Sequence, residues 1–361
     1  MILARYVARR AAAAAAFSLL GVVAIFLAVD FVDNAPAFKG EGWLPAVLEM
    51  YANKAAVVAY QVAPAALMLG AGIAASGFRQ TREYTAMRSL GIGPWGLAGP
   101  IVGVALAAGV GIVALHDAVG VRAAQRANEL GSVRFGSVGD RRRFQAAREP
   151  KRWFRGADGR RIYHLRGAVP GGGFERVTVL EVGEGFRLER RIDAARMVPG
   201  EGETWVLEEV EDRAFPADGT VRLERSPSRV YRFDEPPGAF SVVAGRPADF
   251  RYGQMGEQIE ARRRLGIATE RFELERANRI AYPLVGAPAV LVAVALALRR
   301  NRKGHVAVAL LEAVGVSLLV WAVQGTAWAF GVAGRVPPWA AAWAPDALFL
   351  LLGLAALRRA G

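Results

Sequence analysis

The side chains that most often carry out enzyme chemistry are sparse in this sequence and far apart. The three histidines, His116, His164 and His305, have no metal-ligating residue three or four positions later, so a His-Glu-x-x-His metalloprotease is excluded. The chain has no cysteine, which excludes disulfides and thiolate metal sites. It also lacks a glycine-rich phosphate loop ending in Lys-Ser or Lys-Thr. We therefore expect no catalytic residue, no metal site and no cofactor.

Charged residues inside apolar runs are a stronger functional signal, because a charge is costly in a bilayer and is retained there for a reason. Glu312 lies about two helical turns into such a run. One interpretation is an ion pair near the membrane interface with Arg88 or Arg300. The other is a coupling contact between this run and a short charged stretch at residues 83–93.

Other polar residues near apolar runs are candidates for contact with lipid. Asp30 and Asp33 lie at the end of the first run, where we expect solvated charges at the level of the lipid headgroups. Lys39 follows them, and an ammonium group at that depth can meet a lipid phosphate. Gln324, with Trp321 nearby, belongs either to an aromatic belt or to a lipid-facing gate.

Residues 83–93 form a short, charged segment between two long apolar runs. Its composition predicts a helix of about two turns that is closed by a glycine. Such a segment is a natural handle by which a soluble partner could move membrane helices. We take the following residues as the candidates for contact with such a partner: Arg82, Glu83, Ala86, Met87 and Gly91.

Six apolar runs are long enough to cross a membrane, which needs about 20 residues each. They cover residues 11–29, 55–77, 95–115, 280–298, 306–330 and 339–357. A cleaved signal peptide is the alternative for the first run, but signal cores are usually only about 7–15 residues long. We therefore predict six retained transmembrane helices.

The distribution of charge predicts the orientation of these helices. The formal net charge is +13, which suggests nucleic acid or an anionic membrane as a partner. Arginine and lysine concentrate at the ends of the apolar runs, in the loops at 79–94 and 299–304, as is typical of cytoplasmic anchors. We therefore predict a multi-pass membrane protein with both termini in the cytoplasm, and we expect no nucleic acid partner.

Residues 116–278 then lie outside the cytoplasm. Short runs rich in strand-forming residues, separated by Gly and Pro turns, predict an all-β domain of the sandwich or jelly-roll kind, with helices at both of its ends. The predicted organisation is residues 1–115 with the first three transmembrane helices and a coupling helix near 79–93, residues 116–278 with the extracytoplasmic jelly-roll-like domain and its flanking helices, and residues 279–361 with the last three helices.

Several short motifs occur in a particular order along the chain. They are Arg5-Tyr6, Phe31-Val32-Asp33, Glu83 followed by Ala86-Met87-Arg88-Ser89-Leu90-Gly91, Tyr282-Pro283-Leu284, Val336-Pro337-Pro338 and Ala344-Pro345-Asp346. In this order and with this topology the chain resembles the LptF/LptG permeases of the lipopolysaccharide exporter over essentially its whole length. Phe-Val-Asp and Val-Pro-Pro favour the LptG side of the family.

The resemblance implies a transporter subunit of the bacterial inner membrane that has no enzymatic activity. It implies two such permeases around a cavity for lipopolysaccharide, gated by their first and fifth helices. An LptB-like ATPase dimer would grip the helix between the second and third crossings, where Glu83 matches the family's acidic residue. LptC- and LptA-like proteins would form the periplasmic bridge. One departure is Asp30, which stands where related sequences often carry a basic residue that contacts lipid phosphates.

Three other functions compete with this interpretation. A membrane-anchored periplasmic sensor or assembly factor would have the same topology, but it gives no reason for a charged helix between the second and third crossings. An exporter subunit for a different lipid or for a lipoprotein fits the apolar runs equally well. An intramembrane enzyme is the third alternative.

Overall fold

A computed structural model of the chain describes residues 2–136, 153–156, 159–169, 173–201, 204–216, 218–235, 240, 246–264, 267–299 and 306–359. Arg300 and His305 lie outside these residues. The chain divides into two compact units. The membrane unit consists of Met1–Phe144, Pro247–Tyr252 and Glu273–Gly361, and the β unit consists of Gln145–Arg246 and Gly253–Phe272.

Helices dominate the membrane unit. In the part of the chain that the structure describes, the α-helices are, in order, α1 (Ile2–Asn34), α2 (Trp43–Gln80), α3 (Glu83–Ser89), α4 (Trp95–Leu115), α5 (Val121–Glu129), α6 (Tyr252–Arg264), α7 (Glu270–Leu284), α8 (Gly286–Arg299), α9 (Val306–Val332) and α10 (Pro338–Arg358). Helix α4 continues into α5 through a π-helical turn at His116–Gly120, and a second π-helical turn, Leu130–Arg134, follows α5.

The described residues contain six spans that are long and apolar enough to cross a membrane. They are Ile2–Ala37, Trp43–Gln80, Trp95–Arg134, Glu270–Arg299, Leu311–Val332 and Pro338–Arg358. The prediction of six transmembrane helices is confirmed. Several helices extend beyond the apolar runs, because amphipathic and charged residues continue the helical pattern outside the hydrocarbon region.

Small residues allow these helices to pack closely. A Cβ atom on Gly70 of α2 would come within 2.5 Å of the Cα atom of Ala15 in α1, so the two backbones are in direct contact. A Cβ atom on Gly353 of α10 would meet the Leu291 side chain of α8 at 2.6 Å. Because lipid chains are as apolar as the side chains, such close contact supplies much of the attraction between membrane helices.

The β unit contains a six-stranded antiparallel sheet, which confirms the prediction of an all-β insert. Its strands are β1 (Trp153–Arg155), β2 (Arg161–Val169), β3 (Gly173–Val182), β4 (Leu188–Pro199), β5 (Trp205–Ala214) and β6 (Arg222–Tyr231). Each strand pairs with the next one in the chain. The described strands are therefore a meander, whereas a jelly roll pairs strands that are distant in sequence.

The two faces of the sheet differ because side chains alternate along each strand. One face is apolar and includes Tyr163, Val179 and Trp205, all fully buried, with Phe240 packed against them. The other face carries a polar row in which Asp193 accepts hydrogen bonds from Thr178 and Arg213.

Asp212 is a buried carboxylate in the β unit, with 5% of its surface exposed. Burial alone would raise its pKa, but hydrogen bonds from Arg190 and Tyr231 hold the pKa of Asp212 below its usual value. The carboxylate is therefore ionised and paired inside the sheet, as a buried charge must be.

Candidate functional site

The short helix α3 separates the second and third membrane spans, and its backbone conformation is fixed at both ends. Arg82, just before the helix, has a left-handed φ of 60°, and Gly91, just after it, has a φ of 78°. The N–H of Ile92 donates to the carbonyl of Met87 at 3.0 Å and that of Gly91 to Arg88 at 3.0 Å, which is the Schellman pattern. A helix of two turns closed by a glycine is what the sequence predicts.

The side chains of α3 divide into an inner and an outer set. Tyr84 and Met87 are 5% and 6% exposed and belong to the apolar core of the membrane unit. Arg82, Ala86 and Gly91 are exposed. The structure therefore places Met87 among the residues that attach the helix to the bundle, and Arg82, Ala86 and Gly91 on the surface that a partner can reach.

Glu83 lies at the first turn of α3 and bonds to residues of two other segments. Its Oε1 atom accepts hydrogen bonds from Arg10 at 2.9 Å and from Thr81 at 2.7 Å. Partial burial opposes ionisation, but the hydrogen bonds from Thr81 and Tyr6 and the charge of Arg10 hold the pKa of Glu83 below its usual value. The side chain is thus an ionised acceptor.

Arg10 and Tyr6 complete the site, and although Tyr6 belongs to the Arg5-Tyr6 motif, the sequence did not connect either residue with Glu83. They are four residues apart on α1, so they share one face of the helix, and Arg10 donates a hydrogen bond to the Tyr6 hydroxyl at 3.1 Å. The i, i+4 spacing of an aromatic residue and an arginine at the end of an apolar run is a signal that could have pointed to them.

Arg79 secures another part of this end of the bundle. From the last turn of α2 its guanidinium donates to the backbone carbonyls of Leu298 and of Ala297, the latter at 3.2 Å. These carbonyls lie at the end of α8, where they have no partner within the helix, and a cation there also complements the helix dipole.

At the other end of α1 the structure gives Asp30 a different setting from the expected solvated one. Its Oδ2 atom accepts hydrogen bonds from Lys54 at 2.6 Å and from the Tyr51 hydroxyl at 2.8 Å, both on α2. Asp33 and Lys39, the candidates for lipid contact, are exposed. Asp30 is therefore part of an interhelical ion pair.

The candidates on α9 do not form one site. The Trp321 side chain is 58% exposed, whereas Gln324 is 9% exposed and, among the described residues, its Nε2 atom has no hydrogen-bond partner. Trp321, Phe330 and Arg335 line an open groove of about 620 Å³ on the outer face of the helix. Glu312, which precedes the groove residues on the same helix, is half-buried.

A further polar cluster, which the sequence did not predict, surrounds Arg279 of α7. The Arg279 side chain is 1% exposed. Its guanidinium donates to the carbonyls of Phe250 and Ala248 and lies 3.5 Å from the Glu275 carboxylate. Tyr60, which stacks on His116 with ring centroids 3.8 Å apart, donates to the Arg279 carbonyl at 3.4 Å. His116, isolated in sequence, is thus part of a packed polar cluster.

No curated protein sequence matches this chain. Residues 5–359 match the family model described as the lipopolysaccharide export system permease LptF/LptG. The match spans both membrane halves and the β insert, and it agrees with a chain in which an antiparallel sheet is inserted between two sets of membrane helices. The chain therefore belongs to the LptF/LptG family of lipopolysaccharide export permeases.

Proposed function

We propose that this permease extracts lipopolysaccharide from the inner membrane and passes it to a periplasmic bridge, using work done by a separate cytoplasmic ATPase. The observation that carries the proposal is helix α3. It is closed at its C-terminal end by Gly91, is attached to the bundle by Tyr84 and Met87, and exposes Arg82, Ala86 and Leu90. A surface of this kind on a chain whose sequence has no phosphate loop suits an ATPase of the LptB type.

The proposed orientation places both termini and α3 in the cytoplasm and the β unit in the periplasm. Charge supports it, because arginines cluster around α3, at Arg79, Arg82 and Arg88. Acidic and basic residues are nearly balanced in the segments proposed to face the periplasm. Short cytoplasmic loops carry such an excess of arginine and lysine.

The proposed mechanism converts motion of α3 into a change in helix packing. Helix α3 is joined to α2 and α4 by only a few residues, so displacement of α3 by the ATPase tilts both spans. Because the helices meet at small residues such as Gly70, a small tilt changes their contacts as rigid bodies. Lipid is expected to enter along α1 and α9, which form the lateral gates.

Exposed apolar side chains on those two helices support the gate assignment. They are Phe17, Leu20 and Ile25 on α1, and Leu311, Leu318 and Trp321 on α9. A face of this kind suits lipid chains or the helices of a second permease of the same family. We propose that the chain pairs with such a permease, takes the LptG-like role, and delivers lipid to LptC- and LptA-like proteins.

The substitution Glu83→Lys tests the attachment of the ATPase. It reverses the charge at the first turn of α3, so we expect at least a tenfold loss of co-purified ATPase, the effect of losing about one charge-assisted hydrogen bond. Insertion into the membrane remains normal. The measurement is the amount of ATPase recovered with the tagged permease from detergent-solubilised membranes.

Glu41→Lys is the matched control, because it makes the same charge change at an exposed carboxylate outside α3. It is expected to retain the ATPase. If Glu83→Lys recovers as much ATPase as the Glu41→Lys control and still supports export, α3 is not the coupling element.

A further inference from the structure

The short helix α3 has a side-chain link to the first membrane helix, although the two are more than 70 residues apart in sequence. Residues in left-handed conformation flank α3 on both sides, at Arg82 and Gly91, so the backbone changes direction at each end. What fixes the first turn of α3 is therefore a set of side-chain contacts rather than a continuous helix.

Glu83 and Arg10 make the central contact of this set. Their side chains are 30% and 43% exposed and lie 2.9 Å apart. Thr81 donates to the same carboxylate oxygen, and Tyr6 accepts from the same guanidinium. The guanidinium is thus held from two directions, which is more than a solitary surface ion pair provides.

Two aromatic rings contact the Arg10 guanidinium. Its guanidinium carbon lies 5.1 Å from the ring centroid of Phe78 and 5.7 Å from that of Tyr6. The two rings meet edge to face, 5.9 Å apart. Phe78 is 1% exposed and belongs to α2, so the site joins α1, α2 and α3. Cation–π contacts of this kind add to the ion pair.

Helix α1 packs against the rest of the membrane unit close to Arg10. Val7 and Ala11, next to Arg10 on α1, are 0% and 2% exposed and pack in the core of the membrane unit. One turn further on, Ala15 touches the backbone of Gly70 in α2. The end of α1 near α3 is therefore packed against the bundle along one face of the helix.

We propose that Arg10 is a positioning residue that ties α3 directly to α1, so that motion of α3 reaches the first gate helix without passing through α4. The inference rests on the proposed function, since it names the residue through which α3 acts on α1. Tyr6 and Phe78 orient Arg10, and Glu83 receives it.

The first measurement needs neither ATPase nor lipid. Because the chain has no cysteine, Thr85→Cys on the exposed face of α3 provides a unique site for a nitroxide label. In the full-length permease, Arg10→Gln is expected to increase the mobility of the label in its electron paramagnetic resonance spectrum. Arg9→Gln, which removes the same charge from the neighbouring exposed position, leaves the spectrum unchanged.

The second measurement uses the complex of the permease with its ATPase in vesicles that contain lipopolysaccharide. We expect Arg10→Gln to retain the ATPase and its ATP hydrolysis but to release roughly tenfold less lipid per ATP hydrolysed, as loss of one charge-assisted hydrogen bond would produce. Arg10→Lys restores part of the ratio, and Arg9→Gln does not change it.

Two outcomes would overturn the proposal. One is an Arg10→Gln permease that matches Arg9→Gln in label mobility and in lipid released per ATP. The other is loss of the ATPase from Arg10→Gln, which would make Arg10 part of the partner's binding surface. If the unaltered chain binds no ATPase, the proposed function fails, whereas the label measurement still decides whether Arg10 holds α3.

Discussion

At the scale of residues, charges pair across helices at both ends of α1. Arg10 meets Glu83 near one end, and Asp30 meets Lys54 and Tyr51 of α2 near the other. The sequence points to Glu83 through its place in a charged stretch, but its partner is 73 positions away. A pattern of neighbouring residues cannot reveal a contact over so long a sequence separation, so the pairing becomes visible only in the structure.

Asp30 illustrates the same limit. In the sequence it stands where related sequences often have a basic residue, and its position alone predicts a solvated charge. In the structure it accepts two hydrogen bonds from α2, one of them from a lysine. The cation near the end of α1 is thus supplied by the neighbouring helix, a contact that depends on tertiary packing.

Replacing Asp30 tests this pair. Asp30→Asn is expected to lower the free energy of unfolding by about 1–2 kcal/mol, because a half-buried charged hydrogen bond is lost and Lys54 is left unpaired. Lys54→Met acts similarly, and the double variant loses less than the sum of the two. The measurement is the thermal midpoint of the purified permease in detergent.

Asp33→Asn is the control for this series, since it removes the same charge from an exposed position one helical turn further along the chain. We expect little change in its thermal midpoint. Additive effects of Asp30→Asn and Lys54→Met would show that the two side chains do not interact.

At the scale of elements, the sequence predicts the existence and type of most segments. The apolar runs become six membrane spans, and Gly91 closes α3, as the sequence predicts. The strand-forming runs become strands, but their order does not follow from alternation alone. Pairing of each strand with the next gives a meander, whereas a jelly-roll order would require the same strand sequences with different long-range contacts.

Close packing of α1 on α2 depends on Gly70. Gly70→Ala would place a methyl group within 3 Å of the backbone of Ala15, which cannot move out of the way as a flexible side chain would. We expect a loss of about 1–3 kcal/mol in the free energy of unfolding and separation of the two helices. Thermal unfolding in detergent measures this loss.

Gly77→Ala provides the matched control on the same helix, because nothing lies within 4 Å of the Cβ atom that it adds. Alanine is the better helix former, so this variant is expected to be as stable as the original chain or slightly more stable. Equal midpoints for the two variants would mean that α1 and α2 do not meet at Gly70.

At the scale of the whole molecule, the protein is a membrane unit and a β unit that belong to one family of lipopolysaccharide permeases. The long apolar runs and the strand-forming runs between them predict six membrane spans and an inserted sheet, and the described residues contain both. The contacts of α3 with α1 are side-chain contacts within the membrane unit, and the sequence alone does not reveal them.

The most direct test of the account is ATP-driven release of lipopolysaccharide from vesicles that contain this chain, a partner permease and the ATPase, with a soluble periplasmic acceptor outside. We predict release that requires ATP, is lost in Glu83→Lys and is retained in Glu41→Lys. Release that does not depend on ATP, or that continues in Glu83→Lys at the rate of the unaltered chain, would contradict it.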